Sequence, residues 1–102
     1  MMTKAIAQSK TEMIYISSKS CVYCVKLEKE VLNDSEVKLA MKDIVIKKAD
    51  INDRVARDYH VRVVPYVIFL KNEKVVKVFV GYVGKQQFLQ MLKDIQKENI
   101  ND

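Results

Sequence analysis

The chain has no tryptophan, one proline, two glycines, one histidine and two cysteines among 102 residues. So little glycine and proline excludes collagen-like and low-complexity architectures, in which those residues dominate or repeat. One histidine, His60, and two cysteines, Cys21 and Cys24, are too few for a closed structural zinc site, and His60 lies far from the cysteines in sequence. No apolar run approaches the roughly 18 residues that suggest a membrane span. Residues 1 to 12 lack the long apolar centre of a signal peptide. A Met1-Met2 start fits a native protein and equally a mature exported one given a new methionine, so the sequence leaves the compartment open.

Against those absences stand a hydrophobic content of 49% and a charged content of 30%, a balance that supports one core in a single domain over residues 1–102. The net charge of +5 is spread over dispersed lysines, and the longest basic run is Lys47-Lys48. Nucleic-acid binders concentrate positive charge and interleave stacking aromatics, so this composition argues against a nucleic-acid partner.

Met13-Ile14-Tyr15-Ile16 suits a buried strand, and residues 3 to 9 read as a short helix before it. After the polar turn Ser17-Ser18-Lys19-Ser20, the positions Cys24, Leu27, Val31 and Leu32 recur at helical spacing, with Ser20 as the expected N-cap. A second helical piece runs from a Ser35 cap to Met41, followed by a strand from Ile44 to Asp50 and a helix over residues 53 to 59. Proline cannot donate to a central ladder, so Pro65 is expected at the beginning of a strand over Tyr66 to Leu70. Four polar residues, Lys71 to Lys74, then turn the chain into a strand in which Val76, Val78 and Val80 alternate with Val75, Lys77 and Phe79. Past Gly81 and Gly84, the positions Phe88, Leu89, Met91, Leu92 and Ile95 form one face of a last helix. Crossovers in the first half and a hairpin in the second predict an α/β fold: a central mixed sheet of about four strands with helices on both faces.

The cysteines admit several readings. Two thiolates alone can carry a soft monovalent metal, but the usual small scaffold for that task has a different element order. A purely structural Cys21-Cys24 bridge closes too short a loop to stabilise much. A redox pair uses the placement itself, because a thiolate at a helix N-terminus is stabilised by the helix dipole and by unpaired backbone N–H groups. On that reading Cys21, at the start of the helix, attacks a disulfide and Cys24, one turn in, resolves the mixed disulfide. Cys-x-x-Cys beside alternating strands and helices is a recognised signal for this chemistry. Glu28, four residues after Cys24 and on the same helix face, is placed to accept a proton, or else stands as a solvated helix carboxylate paired with Lys26 or Lys29. Tyr23, between the cysteines, is placed to contact partners. His60 has no visible site partner and reads as a surface or packing residue.

Over roughly residues 10 to 98 the element order, the Cys21-Val22-Tyr23-Cys24 motif, the YHVRVVPYVIFLKNEKVV segment and the VFVGY segment resemble the thioredoxin superfamily. The resemblance implies a thiol-disulfide oxidoreductase acting on protein disulfides or dithiols as a monomer, with a redox partner protein. It implies no cofactor beyond the Cys21-Cys24 pair and no membrane insertion. It also implies that Pro65 is a cis-proline facing the cysteines, with Val64 and Gly81 lining the substrate groove. A cis Val64-Pro65 bond would leave Val64 backbone groups free to bind a substrate strand.

Two positions depart from the superfamily pattern: Ser20 stands where tryptophan is usual, and Tyr15 where a buried acid serves the second cysteine. CVYCVKLEKEVLNDSEV is more similar to the exported bacterial branch that includes the C-terminal domain of the DsbD-type thiol-disulfide interchange protein, which carries an acid where Glu28 stands. That likeness favours a periplasmic location. Tyr23 also resembles the tyrosine of the glutaredoxin motif. Val22 in place of proline and the lack of a double-glycine turn make glutathione dependence the weaker alternative.

Overall fold

The computed structural model describes residues 10–97; the helix expected over residues 3 to 9 lies outside them. Four strands, β1 (Thr11–Ser17), β2 (Val45–Asp50), β3 (Tyr66–Lys71) and β4 (Lys74–Val80), form one sheet in the order β2-β1-β3-β4. β1 runs parallel to β2 and antiparallel to β3, and β3 runs antiparallel to β4. The helices are α1 (Val22–Leu27), continued by a wider π-helical turn (Glu28–Leu32), then α2 (Ser35–Ala40), α3 (Arg54–Asp58) and α4 (Lys85–Lys97). This is the expected mixed sheet with helices on both faces, the architecture of a thioredoxin fold.

The two central strands are apolar on both sides because both sides are covered. Met13, Tyr15, Val67 and Phe69 face the layer made by α1, the π turn, α2 and α4, while Ile14, Ile16, Ile68 and Leu70 face Ala56 of α3 and Val61. Phe88 of α4 stacks obliquely on Phe69 and edge-on against Phe79, with ring centroids 6.1 Å and 5.9 Å apart. Such aromatic pairs add about 0.5–1.5 kcal/mol beyond the area they bury.

Several local expectations are corrected. α2 is capped by Asp34 rather than Ser35: the Asp34 carboxylate accepts from the Glu36 and Val37 amides at 3.0 and 3.2 Å, a reach Ser35 lacks because it is already helical. The hairpin turn is Asn72-Glu73 alone, both residues at positive φ as a tight two-residue turn of this twist requires. Lys71 therefore belongs to β3, where it is buried and its ammonium donates to the Ile95 carbonyl near the end of α4. The simple alternation expected in β4 is broken by a register shift opposite Phe69 and Leu70. As a result Val76 and Phe79 pack toward one core, whereas Val75, Val78 and Val80 remain substantially exposed.

Candidate active site

The site grows from the C-terminal end of β1. The polar turn after Ser17 brings the chain to Cys21, whose backbone is extended (φ −92°, ψ 106°) and whose Sγ accepts the Cys24 N–H at 3.0 Å. Cys21 is therefore the N-cap of α1, correcting the expectation of Ser20: a cap must combine an extended backbone with an acceptor in reach of the third helical amide. Cys24 is that third residue, buried at 1% exposure, while Cys21 is partly exposed. The two sulfurs are bonded to each other, with Cα atoms 5.2 Å apart, inside the usual span of a disulfide. The Cys24 N–H at the start of α1 is thus aimed at Cys21 Sγ.

Glu28 lies one turn beyond Cys24, and its N–H donates to the Cys24 carbonyl. Its side chain is not simply solvated: Oε2 accepts from the Tyr15 hydroxyl at 2.7 Å. The Cys24 carbonyl lies 3.4 Å from the same hydroxyl. A phenol has one proton to give, so the shorter contact takes it. Tyr15 is 1% exposed, and burial first, then the Glu28 hydrogen bond and charge, push its phenol far above its ordinary range. It stays protonated and acts as a donor to Glu28. Sequence reasoning singled out both residues but missed their contact. The signal was there: parity in β1 turns Tyr15 with Met13 toward the helix layer that carries Glu28.

The second half of the site comes from β3 and β4. Ile16 of β1 pairs with Tyr66, and Tyr66 pairs with Val80, so Val64-Pro65 and Gly81 stand at the same end of the sheet as the turn leading to Cys21. The Val64-Pro65 peptide bond is cis. Gly81 N–H donates to the Pro65 carbonyl at 2.8 Å, and among the described residues no hydrogen bond takes up the Val64 N–H or carbonyl. Tyr82, next to Gly81, reaches back to the helix: its hydroxyl donates to Glu30 at 2.6 Å and the Lys26 ammonium sits 4.5 Å above its ring. Gly81 itself has φ +89°.

Tyr23 is 61% exposed; Val22 and Val25 on α1, and Val63 in the loop before Pro65, are exposed as well. His60 is exposed and sits in the left-handed region (φ 57°). It ends α3 in a Schellman turn, with its N–H bonded to the Arg57 carbonyl and the Val61 N–H to the Ala56 carbonyl. Among the described residues no three or more His, Cys, Asp or Glu side chains gather as metal ligands. No helix there is long and apolar enough to cross a membrane.

Among solved structures, a thioredoxin from Thermus thermophilus superposes with a TM-score of 0.77 at 22% identity, covering 88% of this chain and 76% of that one. Thioredoxin 3 of Saccharomyces cerevisiae mitochondria, in its oxidized form, gives 0.70 at 18% identity, covering 89% and 84%. The germline-specific thioredoxin Deadhead of Drosophila melanogaster gives 0.70 at 20% identity, covering 90% and 87%. These likenesses concern the fold. No curated protein matches the chain. The family profile described as a thioredoxin-like domain matches residues 1–96, and the chain belongs to that family.

Proposed function

We propose that this protein is a thiol-disulfide oxidoreductase that exchanges electrons with protein disulfides through Cys21 and Cys24. The observation that carries the reading is the bonded pair itself: Cys21 partly exposed as the N-cap, Cys24 buried one turn inside and donating its amide to Cys21 Sγ.

In the reducing direction, the Cys21 thiolate attacks one sulfur of a substrate disulfide, and the other sulfur leaves as a thiolate that takes up a proton. Cys24 then loses its proton and attacks Cys21 Sγ in the mixed disulfide. The second substrate sulfur departs, Cys21-Cys24 is oxidised, and two electrons have passed to the substrate. Reversal of the same steps oxidises a dithiol.

Glu28 is the acceptor for the Cys24 proton, with Tyr15 holding its carboxylate from the strand side; the acceptor then sits on the helix, at the place where the DsbD-type domain carries an acid. Val64 backbone groups and Gly81 position the substrate strand beside Cys21, while Tyr23 and its exposed valine neighbours meet the partner's surface. A monomer acting on periplasmic proteins fits this reading.

Trapping tests it. In Cys24→Ser the resolving step is missing, so Cys21 is expected to accumulate as a mixed disulfide with a protein substrate that reductant releases. If Cys24→Ser forms no such adduct with any disulfide-containing protein while Cys21 remains free, the reading fails.

A further inference from the structure

β2 is an edge strand, and its inner face breaks the rule of the strands beside it. Where β1 presents Met13 and Tyr15 to the helix layer, the paired positions on β2 are Ile46 and Lys48. A lysine thus stands at a position whose neighbours across the sheet are core residues.

Beside it lies a cavity of about 220 Å³ between the sheet at β1 and β2, the end of the π turn and the second half of α2. Its floor is apolar and buried: Met13, the Tyr15 ring, Leu32 and Met41. Its rim is exposed and cationic, with Lys38 on one side, Lys48 on the other and the Asn33 amide between the elements. Among the described residues that line it none is acidic, and neither lysine takes part in an ion pair.

We propose that this cavity binds a small amphiphilic carboxylate, its apolar tail against Met13, Met41 and the Tyr15 ring and its headgroup between Lys38 and Lys48. The floor supplies apolar surface, and unbranched methionine side chains adapt to a flexible chain. Two ammonium groups over that floor select a negative headgroup, with Asn33 offering a further donor. The volume falls below that of pockets for drug-sized ligands, which sets the ligand at the size of a medium-chain fatty carboxylate. A second copy of the chain is disfavoured as occupant, because it carries a net charge of +5 toward a cationic rim. The site shares the Tyr15 ring with the redox reading but does not depend on that reading.

Octanoate is the probe, added to the full chain with methionine methyls isotopically labelled and followed by NMR. Met13 and Met41 report on the cavity, and Met91 on α4 serves as the internal reference. Octanoate is expected to shift the Met13 and Met41 methyls saturably in the millimolar range, leaving Met91 nearly unmoved. Acetate and octylammonium are expected to do so at least tenfold more weakly. Lys38→Glu with Lys48→Glu, both at exposed positions, is expected to weaken octanoate binding at least tenfold with the methyl spectrum otherwise retained. Shifts that do not saturate, octylammonium matching octanoate, an acidic peptide saturating the site where octanoate does not, or charge reversal without effect would each overturn the assignment.

Discussion

Replacing Tyr15 with phenylalanine removes one oxygen and leaves the ring in place against Met13 and the helix layer. What is lost is the 2.7 Å bond to Glu28 Oε2. Hydrogen bonds to charged groups contribute about 1.5–3 kcal/mol, and Glu28 is only partly buried, so water recovers some of that and the lower end applies. About 1.4 kcal/mol corresponds to roughly tenfold in a rate or an equilibrium constant. If Tyr15 holds Glu28 for proton transfer, Tyr15→Phe slows the attack of Cys24 on a mixed disulfide by roughly tenfold. Glu28→Gln, which removes the acceptor itself, slows it by about 10²-fold or more. The assay is rapid chemical quench of a preformed mixed disulfide, followed over pH. Because Tyr15 stays protonated across the accessible range, it donates to Glu28 throughout, and Tyr15→Phe is expected to change the pH profile of this step. In the Glu28→Gln background Tyr15→Phe is expected to cost nothing further, since both act through one contact. Additive losses, or a lowered melting temperature with an unchanged rate and profile, would refute the reasoning and reduce Tyr15 to a packing residue.

Two further outcomes follow from local geometry. Gly81→Ala meets no atom within 4 Å of the new Cβ, yet it forces a side chain onto φ +89°, so it is expected to destabilise the protein by about 1–2 kcal/mol in urea unfolding through backbone strain alone. Asp34 has its carboxyl held below the ordinary 3.8, first by the Val37 amide and then by Lys85. A lowered folded value means the contribution is complete above 3.8 and lost as the pH falls through the folded value; Asp34→Asn keeps an acceptor at the cap and is expected to flatten the acid limb of the urea midpoint between about pH 5 and pH 2.

The topology and the bonded cysteine pair are legible in the sequence because they rest on periodicity and spacing: apolar central strands, cysteines at a helix start and a lone proline ahead of a strand. The caps, Cys21 and Asp34, each lie one residue from the serine that propensity favours. A serine was the obvious choice at each, and only the backbone's entry angle selects the neighbour. The fate of Lys71 depended on a turn that Asn72 and Glu73 close by themselves in left-handed conformations, which Glu73 gives no hint of adopting. Val76 and Phe79 share a core only because of a register shift in β4, where Val76 is the extra residue between Val75 and Lys77. The Tyr15–Glu28 bond joins residues thirteen apart in sequence, and only the packing of the π turn that follows α1 against β1 sets its distance.

The central claim is that Cys21 and Cys24 turn over protein disulfides. Dithiothreitol-driven reduction of insulin, followed by turbidity with catalytic amounts of the protein, tests it most directly. Acceleration is expected from the wild-type chain and none above background from Cys21→Ser; acceleration that survives Cys21→Ser, or no acceleration by a folded wild-type protein in either this assay or dithiol oxidation, rules turnover by this pair out.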